Sequence, residues 1–199
     1  MRHFILLLTS SLIISSLAAC VGTNKTRQNM VIYDFGLSVS SVSDQQITAK
    51  IVLEAPVAAE PLNHNQIRYR LNYQNPSRVF FYTESRWAAT PAELFSSKLS
   101  TMAKMAENPL NCSLKLKIEA FDHVFQTATA SNGVVQLSAQ LVEKKSKKIV
   151  ASQLIAERAV SASPNAQGGT AALHQASEIA LTKAINWGNM IAESSALCH

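Results

Sequence analysis

The chain has little of what builds a metal centre, a nucleotide site or a second membrane span. It holds only three cysteines and five histidines. No C-x-x-C or H-x-x-x-H spacing joins them, so a zinc site would need scattered residues. Nucleophile-elbow, Walker A and Gly-rich dinucleotide motifs are missing. The Gly168-Gly169 pair reads as part of a loop over Pro164 to Gly169. Charged residues make up only 16% of the chain and the net charge is +5. That surplus is too small and scattered to argue for nucleic acid. Glycine and proline, six each, suggest no long disordered body. Beyond the N-terminus no apolar stretch approaches the ~20 residues needed to cross a bilayer. These gaps argue against an enzyme, a cofactor or a bound metal.

What is present starts at Met1. Arg2 and His3 form a short basic region, followed by the apolar Phe4-Ile5-Leu6-Leu7-Leu8 and Leu12-Ile13-Ile14. Leu17-Ala18-Ala19 then stand before Cys20. This three-part form is that of a signal peptide, and its cysteine stands where a bacterial lipobox puts it. Residues 1–19 are therefore expected to be removed and Cys20 to carry lipid, with palmitate-type chains anchoring it; two or more chains hold stably where one is marginal. The alternative is a periplasmic chain with a chance cysteine at its cleavage site. Val21 is not the Asp that would retain a lipoprotein at the inner membrane, so the expected location is the periplasmic face of the outer membrane. Residues 20–30 read as the lipidated cysteine and a flexible tether, and 31–199 as one domain. With Cys20 consumed, Cys112 and Cys198 remain as a pair in a compartment that permits disulfides, against the alternative of two free thiols.

The domain reads as strands, helix, strands, helix. Val31 to Gly36 and the alternating Ile47, Ala49, Ile51 and Leu53 predict strands, and the two prolines in 55–61 predict an edge or loop. Ile67, Tyr69, Leu71 and Tyr73 alternate with polar residues. Asn75-Pro76-Ser77 turns the chain, and Val79 to Tyr82 returns as the hairpin partner. Thr90-Pro91-x-Glu93 is a capping box with proline at the first helical position. Phe95, Leu99, Met102 and Ala106 then give one apolar stripe, ended by Asn108-Pro109. Leu114 to Ala120 is the next strand, Asn132-Gly133 a hairpin turn signal, and Val135 to Leu141 another strand. Residues 143–148 form a charged hairpin tip and Ile149 to Val160 the returning strand. From about Thr170 to Ser194 a long helix carries Leu173, Ala176, Ala180, Ala184, Trp187 and Ile191. The expected fold is α+β, a mainly antiparallel sheet with two helices packed on one face.

One stretch says more. Tyr69-x-Leu71-x-Tyr73, Val79-x-x-Tyr82, Ser85-Arg86-Trp87-Ala88 and Thr90-Pro91-x-Glu93-Leu94 form a run joining a strand hairpin to the first helix. With the lipobox upstream, this run resembles the motif of the ABC-type transport auxiliary lipoproteins, the PqiC/YmbA-like family. Tyr33-Asp34-Phe35-Gly36 only approximates the opening strand of that family, and a lysine-rich tip replaces its usual Asp-Gly turn. The resemblance implies a non-catalytic lipoprotein subunit of an MCE/ABC-type phospholipid transport system. It would dock or assemble the periplasmic channel at the outer membrane and support envelope integrity. Its implied partners are an MCE-domain protein of the inner membrane and periplasm, and further copies of itself in a ring. A general structural or assembly lipoprotein of the envelope is the alternative.

Candidate contact residues follow. Tyr73, Tyr82, Arg86 and Trp87 form a candidate partner interface, since Trp, Tyr and Arg are enriched at interaction hot spots. The competing reading makes Trp87 a core anchor. Lys144, Lys145, Lys147 and Lys148 are candidate contacts to an anionic surface, or a solvated tip. The stripe over 173–191 reads as core rather than as a lipid groove. His174 is expected to be exposed.

Overall fold

The computed structural model describes residues 29–36 and 46–199; Cys20 and the whole of the expected signal lie outside them. The strands are β1 (Val31–Tyr33), β2 (Ile47–Ala49), β3 (Val52–Leu53), β4 (Val57–Ala58), β5 (Gln66–Leu71), β6 (Phe80–Trp87), β7 (Ala103–Met105), β8 (Cys112–Phe125), β9 (Ser131–Glu143) and β10 (Ile149–Val160). The helices are α1 (Pro91–Met102) and α2 (Ala166–Ser194). An eight-stranded sheet runs in the order β1-β6-β5-β8-β9-β10, with β3 and β4 beside β8. The β5–β6, β8–β9 and β9–β10 pairs are antiparallel. Parallel pairs join β1 to β6 and set β3, β4 and β5 in line along β8. The expected α+β layering is the one observed, with both helices packed against the sheet.

Strict alternation builds the main layer. Along β9, Val135, Leu137, Ala139 and Leu141 are fully buried and the residues between them are only half-buried. These residues meet Leu114, Leu116 and Ile118 of β8 and the stripe Leu173, Ala176, Ala180, Ala184 of α2. Alanines on that stripe let a helix of 29 residues lie close to the strands. Backbones come close at Gly133, where a Cβ would stand 2.4 Å from the Ala172 carbonyl carbon. Asn132-Gly133 is therefore no turn; both residues lie inside β9, and the chain reverses at Thr127–Ala130 instead. The glycine is there for helix clearance.

The same cause corrects the other glycine pair. Gly168 and Gly169 lie in the first turn of α2, not in a loop, with Asn165 capping through Oδ1 to the Gly168 N–H at 2.9 Å. A Cβ on Gly169 would overlap the His123 ring at 2.3 Å.

Several expected elements are shorter than their patterns: β1 stops at Tyr33 and β5 at Leu71, and two more are cut by visible contacts. The 47–53 strand is split, because the Lys50 N–H donates to Asn189 Oδ1 of α2 and the Lys50 carbonyl accepts from Leu110. The pieces β2 and β3 then join different sheets, with Ile51 buried between them. Helix α1 starts as its capping box dictates: Thr90 accepts from the Glu93 N–H, and the Glu93 carboxylate accepts from the Thr90 N–H. It ends at Met102, before Ala106, because Ala103–Met105 becomes β7 and pairs with β2.

Candidate functional site

The run Tyr69 to Leu94 forms one unit: β5, its turn, β6 and the entry to α1. A strand sends neighbours to opposite faces, and that rule divides the candidate interface. Trp87 is 1% exposed. Its ring stacks on Phe121 at 5.2 Å and meets Phe35 edge-on at 5.8 Å, with Phe95 completing the plug. Trp87 is thus a core anchor and is removed from the candidate interface. Arg86 faces the other way, opposite Gln66 and Ile32 in register, and is exposed.

The two tyrosines also part. Tyr73 sits in the β5–β6 turn and is 45% exposed. Tyr82 points to the helix side, half-buried, where its hydroxyl lies 2.9 Å from His123 Nδ1 and its ring lies 4.8 Å from that of Tyr69. Burial, and secondarily the neighbouring Tyr69 phenol, pushes the Tyr82 pKa up, so the phenol keeps its proton. Tyr73 at one end of the hairpin and Arg86 near the other are the two candidates left on the surface.

His123 is fully buried, and burial lowers its pKa to about 4. The imidazole is neutral at neutral pH, with Nε2 lacking a hydrogen-bond partner among the described residues. His174 is half-buried, not exposed. It stacks on Phe35 at 5.0 Å, near Glu178, and burial lowers its pKa.

The sheet face away from the helices is covered only in part, with Ser113, Asp122, Val124 and Val142 buried on it. Lys115, Lys117, Ser152, Leu154 and Arg158 are exposed there. Near its centre sits a polar cluster that the sequence pattern hid. Asp122, 3% exposed, takes Arg68 Nε at 2.8 Å on one oxygen and Arg70 Nε at 2.9 Å on the other. Arg68 and Arg70 also donate to the carbonyls of Pro61 and Pro76. The arginines looked like the solvent side of an alternating strand. The available signal was an aspartate, beside His123, inside the mostly apolar run Ala120 to Phe125.

At the far end of the sheet, Lys144, Lys145, Lys147 and Lys148 are all exposed at the β9–β10 tip. Glu143 organises the turn, accepting from the Lys145 and Ser146 N–H groups and from Asn111 Nδ2. Hydrogen bonding from Ser146, then from the Lys145 backbone, holds its carboxyl down at about 2. Asn111 also ties this tip to the chain end, since its N–H donates to the Cys198 carbonyl and its own carbonyl accepts from Lys144. Cys112 and Cys198 form a buried disulfide with Cα atoms 5.1 Å apart.

A shallow cleft of about 330 Å³ lies between α1 and β3–β4, lined by Leu53, Ala55, Leu99, Ala103 and Met105 with Glu54 at its rim. Among the described residues no three His, Cys, Asp or Glu side chains are grouped to hold a metal ion. No described helix is long and apolar enough to cross a membrane.

No family model and no curated protein matches the chain. Solved structures share its fold, two of them over most of the chain. One is a Xanthomonas campestris protein of the DUF330 family, 18% identical, with a TM-score of 0.66 over 82% of this chain and 98% of that one. The other is an uncharacterised protein, 12% identical, with a TM-score of 0.55 over 82% and 99%. At such identities the likeness is one of architecture. The chain therefore has a DUF330-like fold, matched over nearly the whole length of both neighbours.

Proposed function

We propose that this protein is a non-catalytic, lipid-anchored subunit of an MCE/ABC-type phospholipid transport system, held at the periplasmic face of the outer membrane. The observation that carries the proposal is the Tyr69–Leu94 run, which sits downstream of a lipobox and folds as a single hairpin-to-helix unit. Within it, Trp87, Tyr69 and the Thr90–Glu93 box build the domain, while Tyr73 and Arg86 remain on the surface. The DUF330-like fold supports the reading at the level of architecture. In this role Cys20 supplies the anchor and the domain supplies a docking surface for an MCE-domain protein. The lysine tip adds a charged contact to anionic headgroups, each basic residue contributing about 1 kcal/mol near such a surface.

Crosslinking in intact cells, read by mass spectrometry, tests this directly. The expected result is an MCE-domain protein linked through the β5–β6 hairpin or the 144–148 tip. Recovery of envelope assembly proteins alone would favour the alternative, a general structural lipoprotein. Sustained turnover of a phospholipid by the isolated protein would overturn the non-catalytic reading.

A further inference from the structure

Three connections meet at one end of the sheet, because Leu71 pairs with Phe125, Phe125 with Ser131 and Asn132 with Val160. They are residues 72–79, 126–130 and 161–165, and none of them contains an aspartate or a glutamate. Two arginines supply charge at this end. Arg78 is exposed and lies over the Phe80 ring, its guanidinium carbon 4.5 Å from the centroid. Arg70 donates to Asp122 and to the Pro76 carbonyl, and its side chain is 25% exposed. Asp122 offers one negative charge to two guanidiniums, so its cluster with Arg68 and Arg70 keeps one positive charge. Arg70 carries that charge to water, since the Arg68 side chain is only 9% exposed. Helix α2 also starts here with no acid in its first turn, which adds the partial positive charge of a helix N-terminus. Tyr73, 45% exposed, belongs to the same end. Its turn is preformed: the Gln74 and Asn75 N–H groups donate to the Leu71 carbonyl, and the Ser77 N–H donates to Asn75 Oδ1.

We propose that this end binds an acidic segment of a partner protein, whose carboxylates pair with Arg70 and Arg78 and whose chain packs on Tyr73. This names the chemistry of the docking surface and so rests on the docking role given above. Charge complementarity selects the occupant, because no acid in the three connections opposes the two arginines. A guanidinium matches a carboxylate in two parallel hydrogen bonds, and Arg with Tyr is the composition of interaction hot spots. Both arginines are already held, by the Phe80 ring and by Asp122 with the Pro76 carbonyl, so little freedom is lost on binding. A membrane is the weaker fit here. Contact with headgroups draws on clustered lysines, and those stand at the opposite end of β8 and β9, where Cys112 pairs with Glu143. The lysines then serve lipid and the arginines serve protein, from opposite ends of one sheet.

Photo-crosslinking in intact cells tests the pairing, with benzoylphenylalanine placed at Tyr73 of the full-length protein and the adducts sequenced by mass spectrometry. The expected adduct is a protein segment in which Asp and Glu outnumber Lys and Arg. Arg78→Glu should lower its yield about fivefold or more through like-charge repulsion. Arg78→Lys should lower it less, and the same charge reversal at the exposed Lys117 should leave it unchanged. Equal thermal melting of these variants separates loss of docking from loss of fold. Adducts to phospholipid alone, adducts to a basic or neutral segment, or no adduct at all would overturn the proposal. So would a yield indifferent to Arg78→Glu. Capture of an MCE-domain protein from the lysine tip but not from position 73 would place the docking surface elsewhere and leave the transport reading intact. An acidic segment of a protein without an MCE domain would support the acidic pairing and overturn the transport reading.

Discussion

The phenol of Tyr82 and Nδ1 of His123 are 2.9 Å apart, and Nε2 of the same ring is buried without a partner among the described residues. A neutral imidazole tolerates this far better than a charged one, which gives the domain a defined acid sensitivity. In the unfolded chain a histidine takes its proton near 6.5; in the folded domain His123 refuses it until about 4. Between those values the unfolded state binds more protons, so stability falls as the pH drops from 6.5 towards 4 and is flat above. The whole effect amounts to about 3 kcal/mol. Urea denaturation midpoints across this range check it, and His123→Phe should flatten the slope. Glu143 acts later: its stabilisation is present above 4.5 and is lost as the pH falls towards about 2.

Asp122 pairs with two guanidinium groups, that of Arg68 buried and that of Arg70 partly exposed. Removing one partner of a buried ion pair leaves uncompensated charge, at about 3–5 kcal/mol. Asp122→Ala should therefore destabilise the domain by roughly that amount, measured by chemical denaturation. Restored stability in a triple variant, with Arg68 and Arg70 also replaced by Met, would identify the stranded charges as the cause.

At Gly133 the backbones of strand and helix lie close together. A methyl group there stands 2.4 Å from the Ala172 backbone, which no side-chain rotation relieves. Gly133→Ala is expected to cost at least the ~1–3 kcal/mol typical of overpacking. Far-ultraviolet circular dichroism on heating gives the shift, and a melting temperature equal to wild type would contradict the close packing.

Arg86 and Trp87 are adjacent in sequence and opposite in consequence. Trp87→Ala should cost about 3–5 kcal/mol through the lost core ring, while Arg86→Ala should leave stability within about 0.5 kcal/mol. Under the docking proposal, Arg86→Ala nevertheless reduces co-purification of the MCE-domain partner. Equal recovery with Arg86→Ala and wild type would remove Arg86 from the interface.

The disulfide closes a long loop, with Cys112 and Cys198 separated by 86 positions. Replacing both by Ala is expected to lower stability by about 2–4 kcal/mol. Melting with and without reductant measures this, and reductant should have no further effect on the double variant.

Much of this fold was legible because alternation and capping are local signals. Ile67 to Tyr73, Leu114 to Ala120 and Val135 to Leu141 each declare a face, and Thr90-Pro91-x-Glu93 declares a helix start. What stayed hidden depends on neighbours distant in sequence. Asn132-Gly133 resembles a turn until α2 lies over it, and residues 47–53 resemble one strand until Asn189 takes the Lys50 N–H. The candidate interface residues divide for the same reason. Residue type nominates Trp87 and Arg86 together, and only the pleat of β6 decides which of them faces water. Asp122 was missed because its partners, Arg68 and Arg70, sit on a strand whose pattern alone assigns them to solvent.

The three-residue strand β1 runs parallel to β6, in register from Val31 with Ser85 to Tyr33 with Trp87. It is where the described chain first joins the sheet, directly after the tether expected to lead back to Cys20. Tension drawn through that tether would act lengthwise along β1. Its hydrogen bonds to β6 would then be loaded in shear, all at once, rather than peeled off singly. A domain hung from a membrane and pulled by a partner would bear its load there first, with the Trp87 plug directly behind.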